Sequence, residues 1–139
     1  MSIKCNSIYK SALKLLDDSG LLESCDDMEE RATFLIATFC EEVRELDSSY
    51  RFAHGLSKHS DIERVSIGMD EDLPVCSRFV PAASYYVAAM LIIDENPELS
   101  DKLFERYCDS ISSISMSLPC RTDRIVNVYE EGQHNKRKG

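Results

Sequence analysis

"VPAASYYVAAMLIIDEN", residues 80–96, strings small and apolar residues between a proline and an acidic stop and leaves almost no polar face. The uncharged run from Phe79 to Ile93, bracketed by Arg78 and Asp94, is shorter than the roughly 18 to 20 apolar residues that a bilayer requires. It does not read as a membrane span. A cofactor pocket needs a few convergent polar groups, and this stretch offers only Ser84 and two tyrosines. A helix that is apolar nearly all round is one covered by neighbours on most sides. Residues 80–93 are therefore expected to be the buried spine of a helical domain, with Ala82, Ala83, Ala88 and Ala89 letting neighbouring helices approach closely.

The neighbours follow from periodicity. Residues 26–47 place Ala32, Leu35, Ile36, Phe39, Cys40, Val43 and Leu46 at the i, i+3, i+4, i+7 recurrence of one helical face. Asp27 and Glu30 have the spacing of a capping box, and Glu29 and Glu30 suit the positive end of the helix. Before it, "SIYKSALKLLDDSG" repeats the pattern with Ile8, Ala12, Leu15 and Leu16 and stops at Gly20. After the spine, Asn96 is placed as an N-cap and Pro97 at the first helical position. Leu99, Leu103, Tyr107, Ile111, Ile114 and Leu118 then run along one side until Pro119.

Residues 48–74 form a connection far longer than the few residues usual in a bundle. Within it "YRFAHGL" suits a helical turn, and "ERVSIG" alternates like a short extended segment. Beyond the last helix "RIVNVY", residues 124–129, is rich in β-branched residues and reads as an extended arm. The closing "EEGQHNKRKG" has no apolar residue to anchor it. The expected fold class is all-α: a four-helix bundle-like domain over residues 1–120 with a long central loop, followed by an extended C-terminal arm and basic tail over 121–139.

Length and composition fit this reading. The 139 residues suffice for one core, and 43% hydrophobic with 29% charged residues belongs to a globular chain rather than a disordered one. The net charge of −9 argues against a general phosphate-binding surface. It is unevenly spread, with −11 over residues 1–120 and +2 over residues 121–139. The six cysteines form no CxxC pair, and the N-terminal stretch lacks the pattern of a secretory signal, so free thiols are expected rather than disulfides or a zinc site. Cys40 and Cys108 are placed on apolar helix faces as buried thiols.

Catalytic constellations are sparse. His54 and His59 are five apart, a spacing that does not align two imidazoles on a helix face, and they read as exposed loop histidines. Asp70, Glu71 and Asp72 with Glu63 make an acidic patch without the alternating ligands and turn glycine of an EF-hand loop, so they read as solvated charges. Phosphate-binding glycine motifs and a nucleophile elbow do not occur, and no Ser or Cys sits in a recognisable base-bearing context. Tyr85, Tyr86 and Tyr107 read as core tyrosines rather than a groove lining. Catalytic residues, bound cofactor and bound metal are all expected to be none.

The order of elements resembles the head-tail connector (adaptor, neck) proteins of tailed bacteriophages and prophages. The resemblance runs from "SIYKSALKLLDDSG" through "ERATFLIATFCEEVREL" and "DEDLP" to "VPAASYYVAAMLIIDENPELSDKLFERYCDSI" and a final "IVNVYEEG". It is most specific over residues 80–110, where a Pro-led helix of alanines and aromatics passes an acidic break into a helix carrying Leu103, Phe104, Arg106 and Tyr107. Asn127 and Glu130 stand where the family has Asp and Gly, and cysteine is more common here. The resemblance implies a non-enzymatic subunit of the virion neck, present in the host cytoplasm before assembly. Copies would form a ring below the portal protein, extend a channel through which DNA passes without sequence-specific binding, and dock neck or tail completion proteins. No membrane is involved.

Two features agree with that implication on physical grounds. An acidic body suits a channel wall along which DNA slides, and a β-rich segment outside a helical domain must pair with something. Arg124, Ile125, Val126, Val128 and Tyr129 are accordingly the expected partner-docking arm. Two other classes remain open on the sequence. One is a small acidic regulatory or inhibitor protein that masks a nucleic-acid-binding partner. The other is a minor metal-dependent enzyme using His54, His59 and the acidic loop.

Overall fold

The computed structural model describes residues 3–16, 26–57 and 68–119. Among them the chain forms five α-helices: α1 (Cys5–Leu15), α2 (Asp26–Glu42), α3 (Arg44–Ala53), α4 (Val80–Ile92) and α5 (Pro97–Ser117). A 3-10 turn over Ser77–Phe79 leads into α4, and the only β pairing among the described residues is an isolated antiparallel bridge between Lys4 and Asp72. The fold is all-α. No helix of the described residues is long and apolar enough to cross a membrane.

α4 is the spine. It packs against α5, α1 and α2, and Ala82, Ala83, Ser84, Tyr86, Val87, Ala88, Ala89, Leu91 and Ile92 are all buried. The alanines allow this because a side chain ending at Cβ keeps helix axes close, and the apolar surround leaves no face for water. Ser84 is the polar exception, and its hydroxyl donates back to the Val80 carbonyl at 3.1 Å. The neighbours present the expected stripes, Ile8, Ala12 and Leu16 from α1, Ala32, Ile36, Phe39 and Cys40 from α2, and Leu103, Tyr107 and Ile114 from α5, except that Leu15, expected on the α1 stripe, is exposed. Rings fill the space between them. Phe39 lies 6.0 Å from Tyr86 and 6.1 Å from Tyr107, and the two tyrosines are 5.2 Å apart.

The α4–α5 corner is built as the sequence suggests. The Asn96 side chain accepts from the Leu99 N–H at 3.2 Å, and Pro97 takes the first helical position, where its missing N–H costs nothing. The buried Ser100 hydroxyl then donates to the Ala89 carbonyl at 2.8 Å, tying the start of α5 to the spine.

Two expectations change. The helix expected over 26–47 breaks at Val43, whose φ of −94° and ψ of 7° turn the chain, and a separate α3 continues to Ala53. The first part of the connection 48–74 is thus helical, in keeping with the helical turn expected of "YRFAHGL". Cys108 is exposed, not buried: the inward stripe of α5 runs through Leu103, Tyr107 and Ile114, and the next residue after Tyr107 is rotated about 100° away from it. α1 is described as far as its C-cap at Leu16, so the stop at Gly20 and the Asp27 side of the capping box lie outside what is described.

Candidate functional site

The break at Val43 aims α3 so that Asp47 points into the protein. Its carboxylate is completely buried. Oδ1 accepts the Cys76 N–H at 2.9 Å and Oδ2 accepts Nε–H of Arg51 at 2.9 Å. Arg51, one turn further on, spreads its remaining donors over the connection: Nη2–H to the Pro74 carbonyl at 3.0 Å and Nη1–H to the Ser57 carbonyl at 3.2 Å. A buried charge persists only when paired and hydrogen-bonded, and this one is both. The pair therefore fastens residues 74–76, the approach to α4, onto α3. Burial, reinforced by the hydrogen bond to Asp47, pushes the Cys76 thiol up to about 11.

A second tie closes the other side of the connection. The turn at residues 68–72 lays its carbonyls over the start of α1, where the Cys5 N–H donates to Glu71 O and the Asn6 N–H to Met69 O, each at 3.0 Å. These are two of the orphan donors that every helix N-terminus leaves open, and Lys4, the N-cap residue, makes no side-chain cap. Nζ of Lys4 instead pairs with Asp72 at 2.7 Å, and that bond raises its pKa. Asp70, Glu71 and Asp72 thus gather at the positive end of α1, which favours them. Among the described residues no group of three or more His, Cys, Asp or Glu side chains is arranged to hold a metal ion.

His54 is exposed at the C-cap of α3 rather than within a loop. Its ring stacks on Tyr50, centroids 4.1 Å apart, and its Nδ1 lies 3.0 Å from the Tyr50 carbonyl. His59 and Glu63 lie outside the described residues, as does the expected docking arm, Arg124, Ile125, Val126, Val128 and Tyr129. Of the tyrosines, Tyr86 and Tyr107 are core residues. The Tyr107 hydroxyl donates to Oε2 of Glu42 at 3.3 Å, and burial, then the nearby Glu42 carboxylate, raises its pKa. The Cys5 and Cys40 thiols are pushed up by burial to about 11 and about 12, so at neutral pH they are protonated and poor nucleophiles.

The described surface carries several large exposed apolar side chains. Phe34 on α2 is 65% exposed, Phe52 at the end of α3 85% and Met116 near the end of α5 84%. Leu56, Ile93 and Phe104 add to them. Periodicity does not flag Phe34, Phe52, Phe104 and Met116, because each lies off the inward stripe of its helix; Leu56 follows the end of α3, and Ile93, expected within the buried spine, is exposed just past α4. The signal that could have found them is the excess of large apolar residues at outward positions. Between α1 and α4 an open cavity of about 270 Å³ is lined by Ser11, Lys14, Leu15, Pro81, Ser84 and Tyr85. Comparison with protein-family models, curated proteins and solved structures finds no match to this chain.

Proposed function

We propose that this chain is a structural, non-enzymatic assembly subunit of the phage head-tail connector kind. In this reading residues 1–120 form a four-helix bundle-like domain with a long central connection, and residues 121–139 form an extended arm that docks a neck or tail component. The observation that carries it is the set of large apolar side chains exposed on separate elements, Phe34 on α2, Phe52 on α3 and Met116 on α5. A subunit that meets a neighbour on each side and a partner above and below needs several non-equivalent contact surfaces, and scattered exposed aromatics of this size are what such contacts bury. The resemblance over residues 80–110 and the acidic body along which DNA would slide support the same reading.

The test is assembly. The chain is co-expressed with the portal, neck and tail completion proteins encoded beside it, the complexes are purified on the portal, and they are imaged by electron microscopy. The reading requires a ring of this chain bound to the portal. A chain that never joins such a complex, or whose gene has no portal, capsid or tail genes nearby, is something else.

A further inference from the structure

Phe34 stands apart from the other exposed apolar residues by its setting. Phe52, Leu56 and Met116 sit within a few residues of chain that is not described, whereas Phe34 lies mid-helix with described residues on both sides for more than a turn. Glu30, one turn before it on the same face, is exposed, and Glu29 beside that is exposed too. The neighbouring hydroxyls are occupied: Thr33 donates to the Glu29 carbonyl and Thr38 to the Phe34 carbonyl, each at 3.0 Å. The outward face of α2 thus offers one aromatic ring with Glu30 and Glu29 a turn before it, while Arg31, also exposed, turns its Nη2–H to the Met90 carbonyl at 3.4 Å.

The α1–α4 cavity offers the complement. At about 270 Å³ it has room for a phenyl ring, given that a cavity of about 150 Å³ in another protein accepts benzene. Leu15 and Pro81 give it apolar walls and Lys14 a charged one. α1 carries Lys10 and Lys14, both exposed, and no acidic residue, in a body that is otherwise strongly acidic. Among the described residues no ion pair involves Lys10, Lys14, Glu29 or Glu30. Phe34 does not line the cavity of its own chain.

The geometry points to an interface between copies of this chain, in which Phe34 of one copy enters the α1–α4 cavity of the next and Glu30 meets Lys14, with Lys10 and Glu29 beside them. Charge complementarity selects a second copy, because both halves of the match are carried by the same chain on two different patches. The two patches are different, so the contact is heterologous and leaves one free Phe34 patch and one free cavity at the two ends of the assembly until a ring closes. This deepens the connector reading and rests on it for the expectation of a ring rather than a closed pair.

The experiment is sedimentation velocity on the full chain over a concentration series at low and high salt. It uses wild type, Phe34→Ser, Lys14→Glu, Glu30→Lys and the double variant Lys14→Glu/Glu30→Lys, with circular dichroism to confirm that each is folded. Wild type should associate, less so at high salt. Phe34→Ser should weaken association roughly tenfold or more, and each single charge reversal should weaken it measurably. The double variant should regain association, because every interface again pairs opposite charges. A wild type that stays monomeric throughout, or a double variant no better than its parents, overturns the interface. So does association that is unaltered in Phe34→Ser, which leaves the cavity to an occupant other than Phe34 of a second copy. Portal-bound rings that still form with Phe34→Ser sink this contact and leave the connector reading standing. Association through Phe34 by a chain that never joins a portal does the reverse.

Discussion

Asp47 and Arg51 lie one turn apart on α3, and Nε–H of Arg51 donates to Oδ2 of Asp47 at 2.9 Å even though the carboxylate is wholly buried. Surface pairs at this spacing contribute a few tenths of a kcal/mol. This one differs because the second carboxylate oxygen holds the Cys76 N–H and the guanidinium holds two carbonyls of the connection. The pair is the joint through which α3 fixes the entry to α4.

Removing one partner should therefore cost far more than a surface ion pair. Arg51→Ala takes the guanidinium from a buried carboxylate, and Asp47→Ala takes the acceptor from both the guanidinium and the Cys76 N–H. Each should lose about 3 to 5 kcal/mol in urea unfolding. Asp47→Asn keeps an acceptor for the Cys76 N–H and should lose less. A double-mutant cycle that returns a coupling below about 0.5 kcal/mol would show that the two residues act independently.

The spine gives a second expectation. Ala88 is fully buried in α4 with helices packed around it. Ala88→Asp introduces an unpaired buried charge, at a cost of several kcal/mol against a total stability of about 5 to 15. The variant should be largely unfolded or melt far below wild type, and an unchanged melting temperature would mean that α4 is not the core.

Much of this was legible in the chain itself. The run of residues 80–93 could be read as a buried helix because apolarity on all faces needs no partner to be recognised, and the Asn96–Pro97 start of α5 because cap chemistry is local. α3 was legible only in pieces, its start as the end of the helix expected over 26–47 and its last turn in "YRFAHGL", and not as one separate helix. Its inward residues after Leu46 are Asp47, Tyr50 and Arg51, so the apolar stripe ends where the helix does not, and only the tertiary pairing shows why polar groups face in. The α1–α4 cavity and its match to Phe34 depend on how helices sit side by side, which periodicity within one helix does not encode.

Alkaline pH should destabilise the fold through its thiols. Burial raises Cys40 from 9.0 to about 12, and Cys5 and Cys76 to about 11. A group whose pKa is raised by folding contributes stability that is fully present below its unfolded value and is lost as pH rises toward the folded one. The melting temperature should accordingly hold up to about pH 9 and fall between there and pH 12, and Cys40→Ala should flatten that limb. At neutral pH, alkylation followed by mass spectrometry should label the exposed Cys108 well before Cys5 or Cys40. Equal labelling rates would contradict the burial of those two thiols.

Histidine chemistry offers a test against the metal-enzyme alternative. His54 is exposed and spends its Nδ1 on the Tyr50 carbonyl, while Asp72 is engaged by Lys4. The double variant His54→Ala/His59→Ala should keep its stability to within about 1 kcal/mol, the loss of the Tyr50 stack included. Elemental analysis of the purified wild type should find no stoichiometric zinc; a full equivalent that vanishes in the double variant would favour the enzyme.

The arm separates folding from assembly. α5 ends at Ser117, Leu118 turns to an extended backbone with ψ of 147°, and Pro119 cannot continue the helix. Residues 124–139 lie beyond this stop, and among the described residues α4 packs against α1, α2 and α5. Under the connector reading Ile125, Val126, Val128 and Tyr129 then add a strand to a partner, because main-chain donors and acceptors in a β-rich segment must be paired when they leave water. The basic residues that follow would help it approach an acidic neighbour, a contribution that salt weakens. Deleting residues 124–139 should leave the helical circular-dichroism signal and the melting transition in place while abolishing capture by portal-bound or tail-bound complexes. If the truncated chain unfolds, the arm belongs to the core; if it still assembles normally, the helical faces carry the whole interface and the docking role of the arm is lost.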